Sequence, residues 1–319
     1  MKRLSLLAAA AALSLLAANV AVAQGIVDQL QGISVTVNAQ GAQGSGTLVT
    51  RKVEDRAVTF VWTAGHVVDG LRQTREFIDP KTGSKKTAIE FADAAIIQEF
   101  RQDGRRVGEV KIDAKVIRYS DADNGEDLAL LQVRKKDFSP ESATAKFYLD
   151  KEIPPLGTEL FHVGSLLGQF GANSLTTGLI SQHGRVLNLS GSNGVVFDQT
   201  TVTSFPGSSG GGVYLKSDGR YVGMIVRGTI GGFNLMVPVR RMHDWSKRTG
   251  VEWAINPDVA MPTLEELDKL TVEDAGNVPS GKESAAKPTT DSEKYRTLEL
   301  RRAASDRTLE ILGRDILND

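Results

Sequence analysis

The chain has 319 residues, no cysteine, and 38 Lys and Arg against 39 Asp and Glu. This charge balance disfavours a nucleic-acid-binding protein that relies on phosphate contacts. The lack of cysteine excludes a disulfide-stapled scaffold, a thiol nucleophile and a Cys-ligated zinc site. The length allows one domain of about 200–250 residues with an additional segment.

The first 23 residues have the pattern of a secretory signal peptide. Lys2-Arg3 precedes an apolar run from Leu4 to Ala18, and Ala21-Val22-Ala23 suits a cleavage site. We therefore expect cleavage after Ala23 and a periplasmic or secreted protein, with an uncleaved N-terminal anchor as the alternative. The run is shorter than the about 20 apolar residues of a membrane span, so no stable span is expected.

Between about residues 32 and 239, short apolar segments alternate with turns rich in Gly, Asn, Asp and Ser. This pattern predicts an antiparallel barrel or sandwich. The clearest predicted strands are Ile33–Val37, Thr47–Val49, Val58–Trp62, Lys111–Arg118, Leu128–Val133, Glu159–Val163, Gly194–Phe197, Gly212–Leu215 and Tyr221–Arg227. The basic clusters at 81–86 and 101–106 fit solvated hairpin tips, with an anionic partner as the alternative.

The C-terminal part is predicted to be helical. A short helix is expected over 240–248, ending at Gly250. In the tail, residues 251–319, Thr263 and Glu266 have the spacing of a capping box. Residues 277–293 predict a flexible linker, and residues 295–317 predict a charged helix with one apolar stripe. That last helix is either part of a solvated tail or a site of homo-oligomerisation or partner docking.

Three segments at the edges of apolar strands carry candidate catalytic residues. His66 lies in Thr63-Ala64-Gly65-His66-Val67-Val68, Asp127 opens the strand Asp127–Val133, and Ser209 lies in Gly207-Ser208-Ser209-Gly210-Gly211-Gly212. A serine hydroxyl needs a base to become nucleophilic, and the base needs a third group to orient it. The order His, Asp, Ser, with separations of 61 (127 − 66) and 82 (209 − 127) residues, is that of chymotrypsin-type enzymes. Taken alone, the glycine-serine stretch also fits an ordinary loop.

Two of these assignments have competitors nearby. Ser208 competes with Ser209, but only Ser209 has a glycine two residues before it and two glycines after it. Asp127 is favoured over the acids of the preceding loop because it leads directly into the apolar strand. Those acids are Asp121, Asp123 and Glu126. The remaining histidines lack metal-ligand spacing and are predicted to be ordinary structural residues: His162, His183 and His243.

Seven collinear segments between residues 44 and 240 resemble trypsin-like serine proteases and, within them, the exported Deg/HtrA branch. The segments are Gly44–Val49, Thr63–Gly70, Asp127–Leu131, Thr177–Ser181, Asp198 with Gly207–Gly211, Tyr221–Ile225 and Leu235–Pro238. The resemblance implies an all-β fold of two six-stranded antiparallel barrels followed by a short helix. The protease domain would then span residues 24–250.

The resemblance also implies the chemistry, which is endopeptidase hydrolysis through an acyl-enzyme without metal or cofactor. Ser209 would be the nucleophile, His66 the general base and then acid, and Asp127 the orienting carboxylate. The N–H groups of Gly207 and Ser209 would form the oxyanion hole. Polypeptides, unfolded or exported, are the expected substrates.

The substrate pocket implied by the resemblance includes Thr203, Arg227 and Asn234. No carboxylate is apparent at its base, so a small or medium apolar residue is expected before the scissile bond rather than Lys or Arg. Arg227 could reach over the pocket and alter this preference.

Two departures from the family pattern limit what can be carried over. Ser208 replaces the aspartate of trypsin-like zymogens, so no zymogen cleavage is expected. The 69 residues after Gly250 (319 − 250) are too few and too polar for a PDZ domain. Alternatives to a protease are a catalytically latent trypsin fold that acts as a peptide-binding or chaperone-like module, and an esterase. An esterase of the usual α/β-hydrolase type would have the serine first in chain order. This chain has the serine last, which argues against the esterase.

Overall fold

The computed structural model describes residues 24–272, apart from residues 79, 82, 124, 188–194, 230, 231 and 271. The expected signal peptide, the linker and the last helix lie outside the described residues. The strands are β1 Ser34–Ala39, β2 Ala42–Val53, β3 Arg56–Thr63, β4 Arg72–Ile78, β5 Lys85–Phe91, β6 Ala94–Gln102, β7 Arg105–Ser120, β8 Leu128–Val133, β9 Glu159–Leu166, β10 Gly171–Leu187, β11 Val195–Thr200, β12 Gly212–Leu215, β13 Tyr221–Thr229 and β14 Phe233–Pro238. The helices are α1 (residues 24–32), α2 Gly65–Val68, α3 Val239–Arg248 and α4 Leu264–Asp268.

The strands form two closed antiparallel barrels of six strands each. The first barrel has the order β1-β2-β3-β8-β7-β6, and the second has the order β10-β11-β14-β13-β12-β9. β4 and β5 pair with each other as a separate two-stranded ribbon. The predicted double-barrel fold is therefore confirmed, and closure leaves neither barrel with an open edge strand.

The C-terminal segment covers the outside of the first barrel. Trp245 of α3 packs edge-on against Trp62 of β3, with ring centroids 5.8 Å apart, and Trp253 packs on Phe60 at 4.6 Å. Trp62 Nε1 donates a hydrogen bond to Ala254 O at 3.1 Å. β3 is therefore buried on both faces beyond its first two residues. Aromatic burial of this kind is a major source of core stability.

The predicted elements agree with the structure where apolar residues are buried. β8 and β12 have the predicted bounds, and the other predicted strands lie within or overlap observed strands. The capping box is present, since Glu266 N donates to Thr263 Oγ1 at 3.2 Å and Thr263 N donates to Glu266 Oε2 at 2.8 Å. The ribbon β4–β5 was not predicted, because β4 is exposed along almost its whole length and lacks apolar alternation. Helix α1 was also missed.

Candidate active site

Asp127 and His66 are joined by hydrogen bonds at the edge of the first barrel. Nδ1 of His66 lies 3.0 Å from both carboxylate oxygens of Asp127, and the backbone N–H of His66 donates to Oδ1 at 3.0 Å. An ionised carboxylate accepts hydrogen bonds and donates none, so Nδ1 of His66 carries the proton. Nε2 is then left as a hydrogen-bond acceptor. Asp127 is 2% exposed and His66 is 37% exposed, so the pair runs from the core towards the surface.

The charge on Asp127 is maintained despite its burial. Burial alone would raise the pKa of this carboxyl group. The hydrogen bonds from the ring and backbone of His66, together with the positive charge of Arg227, outweigh burial and lower the pKa below its usual value. Asp127 is therefore an ionised acceptor suited to orient an imidazole and stabilise its protonated form.

The loop before β8 holds Asp127 in an unusual backbone conformation. Its φ is +55°, in the left-handed region, and its N–H donates to Asp121 O at 3.2 Å. The neighbouring Glu126 forms ion pairs with Arg241 at 2.7 Å and Arg248 at 2.6 Å, both on α3. Such strained residues persist where the surroundings over-determine them and often lie at functional sites. Among the acids of this loop, Asp127 is the one whose hydrogen bonds to His66 the described structure shows.

The segment around Ser209 is a tight turn between β11 and β12. Ser208 N donates to Phe205 O at 2.9 Å, and Gly211 N donates to Ser208 O at 2.9 Å. Gly207 and Gly210 have φ values of +96° and +88°. A Cβ at Gly210 would lie 2.1 Å from Ser45 O, so only glycine fits there.

The two serines of the turn have different environments. Ser208 is 1% exposed, and its Oγ accepts a hydrogen bond from Phe205 N at 3.1 Å. Ser209 is half-buried, lines the adjacent pocket, and its Oγ is bonded to no described protein atom. The hydroxyl available to a substrate is therefore that of Ser209.

The turn packs directly against the segments that lead to His66. Ser45 N donates to Ser209 O at 2.7 Å. A Cβ at Gly44 would lie 2.5 Å from Val67, the neighbour of His66, and 2.9 Å from Ser209 O. The described structure has no hydrogen bond between Ser209 Oγ and His66. In free enzymes such bonds are often long and tighten only with substrate bound.

Two N–H groups of the turn are available to an oxyanion. In the described part of the chain, the N–H groups of Gly207 and Ser209 donate to no protein acceptor. The carbonyl of Gly207 is held in place, because it accepts from Ser45 Oγ at 2.7 Å. Ser45 Oγ also accepts from Ser165 N at 2.7 Å. Sequence reasoning assigned no role to Ser45; its position between two glycines was the only local signal.

A pocket of about 980 Å³ lies next to Ser209. The three residues predicted to line a substrate pocket, Thr203, Arg227 and Asn234, all line it. The other described lining residues are Ser204, Phe205, Pro206, Ser208, Ser209, Ile225, Val226, Gly228 and Gly232. Asn234 is 1% exposed and has its amide occupied, by Ser204 Oγ at 2.6 Å and Val202 O at 2.5 Å. None of the described lining residues carries a carboxylate.

Among the described contacts, none of the remaining histidines is hydrogen-bonded to His66, Asp127 or Ser209, although His162 packs behind the serine turn, where a Cβ at Gly211 would lie 2.7 Å from its ring. His162 is buried with Nδ1 3.0 Å from Gly212 O, His183 contacts Asp198 at 3.1 Å, and His243 contacts Glu252 at 2.9 Å. Within residues 24–272, as far as they are described, no group of three or more His, Asp or Glu is arranged to hold a metal. No helix in the same ranges is long and apolar enough to cross a membrane.

The two barrels, together with a His–Asp pair that adjoins a glycine-flanked serine turn, define the chymotrypsin-like fold. Residues 44–224 match the trypsin-like peptidase domain, so the chain belongs to the trypsin-like peptidase family. A comparison with curated protein sequences gave no significant match.

Three solved structures are similar to this chain. Deg5 matches at 16% identity and a TM-score of 0.50, over 73% of this chain and 95% of that chain. Rv3671c of Mycobacterium tuberculosis H37Rv, in an inactive mutant form, matches at 15% identity and a TM-score of 0.49, over 70% and 90%. The serine endoprotease of Yersinia pestis matches at 17% identity and a TM-score of 0.49, over 72% and 66%. At such identities the likeness to Deg5 concerns the fold alone.

Proposed function

We propose that the chain is an exported serine endopeptidase that hydrolyses polypeptides by a Ser209–His66–Asp127 triad through an acyl-enzyme. One observation carries the proposal: the ionised Asp127 fixes the His66 ring beside a turn that offers the Ser209 hydroxyl and two unbonded N–H groups. The peptidase domain spans residues 24–250, behind a signal peptide cleaved after Ala23. The periplasm or the exterior is its place of action.

Acylation begins at Ser209. Its Oγ attacks the carbonyl carbon of the scissile peptide bond while Nε2 of His66 takes the hydroxyl proton. Asp127 holds the ring in the required tautomer through Nδ1 and stabilises the imidazolium that forms. The carbonyl oxygen gains negative charge and accepts from the N–H groups of Gly207 and Ser209. Each such donor typically contributes about 100- to 1000-fold in rate.

The intermediate then collapses and the enzyme is regenerated. His66 Nε2 returns the proton to the leaving amine, the C–N bond breaks, and the acyl group remains on Ser209 Oγ. A water molecule attacks the ester carbonyl, and His66 accepts a proton from it. The same oxyanion donors stabilise the second tetrahedral intermediate. The C–O bond to Ser209 then breaks, His66 Nε2 returns its proton to Ser209 Oγ, and the carboxylic acid product leaves.

The test is hydrolysis of unfolded casein by residues 24–319 beside the Ser209→Ala variant. Cleavage that disappears in the variant, together with labelling of Ser209 by a fluorophosphonate, would support the proposal. Activity that survives in Ser209→Ala, with labelling elsewhere, would contradict it.

The second candidate is a latent trypsin fold that binds peptides without cleaving them. The observation behind this alternative is that Ser209 Oγ and His66 form no hydrogen bond in the described structure; in a protease, substrate binding would have to form it. It predicts no labelling of Ser209 and equal peptide binding by the unmodified chain and Ser209→Ala.

A further inference from the structure

Arg227 is the only charged side chain among the described residues that line the pocket beside Ser209. It lies on β13, just after the register shift between Ile225 and Arg227. Nη2 of its guanidinium donates one long hydrogen bond, 3.4 Å to Ala122 O, and its Nε is buried without a partner. Within the described residues it forms no ion pair. A guanidinium carries five N–H donors, so most of its hydrogen-bonding capacity is unused.

Two other arginines near this site are paired with carboxylates of the chain. Arg240 donates two hydrogen bonds of 2.6 and 2.7 Å to Asp198. Arg241 forms an ion pair with Glu126 and donates a hydrogen bond to Val196 O. Buried donors in proteins are nearly always paired, so the buried Nε of Arg227, which has no partner among the described residues, needs a physical reason. A partner supplied from outside the chain would account for it.

Asp127 is not that partner. Its two oxygens are taken by the ring and backbone of His66, and no hydrogen bond joins it to Arg227. The charge of Arg227 is nevertheless close enough to lower the pKa of Asp127. The guanidinium lies beside the loop that carries Asp127, since it donates to Ala122 O in that loop.

We infer that Arg227 is a specificity residue that binds a carboxylate of the substrate. The carboxylate belongs to a Glu or Asp side chain at one of the two residues on the acyl side of the scissile bond. The inference rests on the proposed endopeptidase function and names the substrate class for that site. The planar fork of a guanidinium suits bidentate binding of a carboxylate.

The surroundings of Arg227 strengthen such a contact. Phe205, Ile225 and Val226 add apolar surface to the pocket, and a charge pair beside apolar surface is stronger than one in bulk water. No described lining residue offers a carboxylate that would compete with the substrate. Cleavage next to a Lys or Arg side chain is disfavoured, because its positive charge would face that of Arg227.

The experiment compares fluorogenic peptides that differ only by Glu or Gln at each of the two positions. Residues 24–319 should show a kcat/KM for the Glu peptide about 10- to 100-fold higher at one position, as expected for a charge-assisted hydrogen bond. Arg227→Gln should bring the Glu:Gln ratio close to one, and Arg227→Lys should leave an intermediate ratio. The matched control is Arg56→Gln, at an arginine 51% exposed on the first barrel and paired with Asp137, which should leave the ratio unchanged.

Binding separates this inference from the proposed function. Fluorescence anisotropy of labelled forms of the same peptides measures their affinity without turnover. Ser209→Ala should bind the Glu peptide more tightly than the Gln peptide. The Ser209→Ala, Arg227→Gln double variant should bind the two peptides equally. Equal kcat/KM and equal affinity for Glu and Gln peptides in the unmodified chain would overturn the inference, whether or not casein is cleaved. A uniform loss of kcat in Arg227→Gln with the ratio unchanged would also overturn it, since Arg227 would then act only through Asp127.

Discussion

The carboxylate of Asp127 binds His66 at two points, the ring Nδ1 and the backbone N–H, each 3.0 Å from Oδ1. The backbone contact anchors the start of helix α2, and the ring contact sets the orientation of the imidazole on that helix. Close packing reinforces the arrangement, because a Cβ at Gly65 would lie 2.3 Å from Ser120 O. The loop and the helix therefore pack together as one unit.

Asp127→Asn tests the role of this unit. The amide keeps the shape of the side chain, and asparagine tolerates a φ near +55° better than most residues. It presents an N–H where the carboxylate accepted, which favours the wrong tautomer of His66. We expect kcat/KM on casein-derived peptides to fall about 10⁴-fold. Asp123→Asn in the same loop should leave activity unchanged, and a loss below tenfold in Asp127→Asn would contradict the triad.

Substitution of each serine in the turn should separate stability from activity. Ser208→Ala removes the buried acceptor of the Phe205 N–H, so the free energy of unfolding should fall by about 1–3 kcal/mol while hydrolysis persists. Ser209→Ala should lower the rate of hydrolysis at least about 1000-fold and leave the free energy of unfolding unchanged. Urea denaturation and peptide hydrolysis measure the two effects. The reverse pattern would make Ser208 the nucleophile.

Gly210→Ala should distort the turn. The new Cβ would meet Ser45 O at 2.1 Å and Thr63 Oγ1 at 2.4 Å, in a left-handed backbone of φ +88°. We expect a loss of about 2–4 kcal/mol in unfolding free energy and a loss of hydrolysis. Gly41→Ala is the matched control, since its φ is +99° but nothing lies within 4 Å of its Cβ. Equal losses in the two variants would show that close packing at Gly210 is unimportant.

Ser45→Ala tests the support of the turn that carries Ser209 and, in the proposed mechanism, the oxyanion donors. The hydroxyl joins Gly207 O to Ser165 N across the two barrels, at 2.7 Å on each side. Its removal leaves a buried N–H unpaired and frees the Gly207 peptide to rotate, so kcat should fall about tenfold with a smaller change in KM. Ser34→Ala is the control, because the buried Ser34 Oγ has no hydrogen-bond partner and its loss should be nearly neutral.

His162 predicts a dependence of stability on pH. Burial lowers its pKa from 6.5 to about 4 in the folded protein, against a smaller opposing effect of the hydrogen bond to Gly212 O. Between those pH values the unfolded chain binds the extra proton, so stability present above pH 6.5 is lost as pH falls towards 4, by about 3 kcal/mol in all.

Urea unfolding of the unmodified chain and of His162→Asn at pH 7, 5.5 and 4 measures this effect. The difference between the two proteins should shrink as the pH falls. Parallel curves, or an NMR titration of the His162 ring above pH 6, would contradict it.

Sequence patterns located the elements that bury apolar side chains. β8 and β12 were predicted to the residue because every position in both is buried, which leaves a mostly apolar segment in the sequence, interrupted in β8 by Gln132. The β4–β5 ribbon was not predicted, because β4 is almost wholly exposed and so leaves no apolar segment in the sequence. Period-based reasoning detects burial, so it overlooks strands held mainly by backbone hydrogen bonds.

The sequence by itself determined the residue types available for chemistry, their order along the chain, and the glycines that permit the Ser209 turn. These are local properties, set by the covalent chain and by backbone sterics. Only the tertiary structure decided which hydroxyl is free, that Asp127 is the acid that contacts His66, and that Arg227 has no carboxylate partner among the described residues. Those outcomes depend on contacts such as Asp127 with His66 and Ser45 with Gly207, which are 61 and 162 residues apart in sequence. They exist only once two barrels have closed and packed against each other.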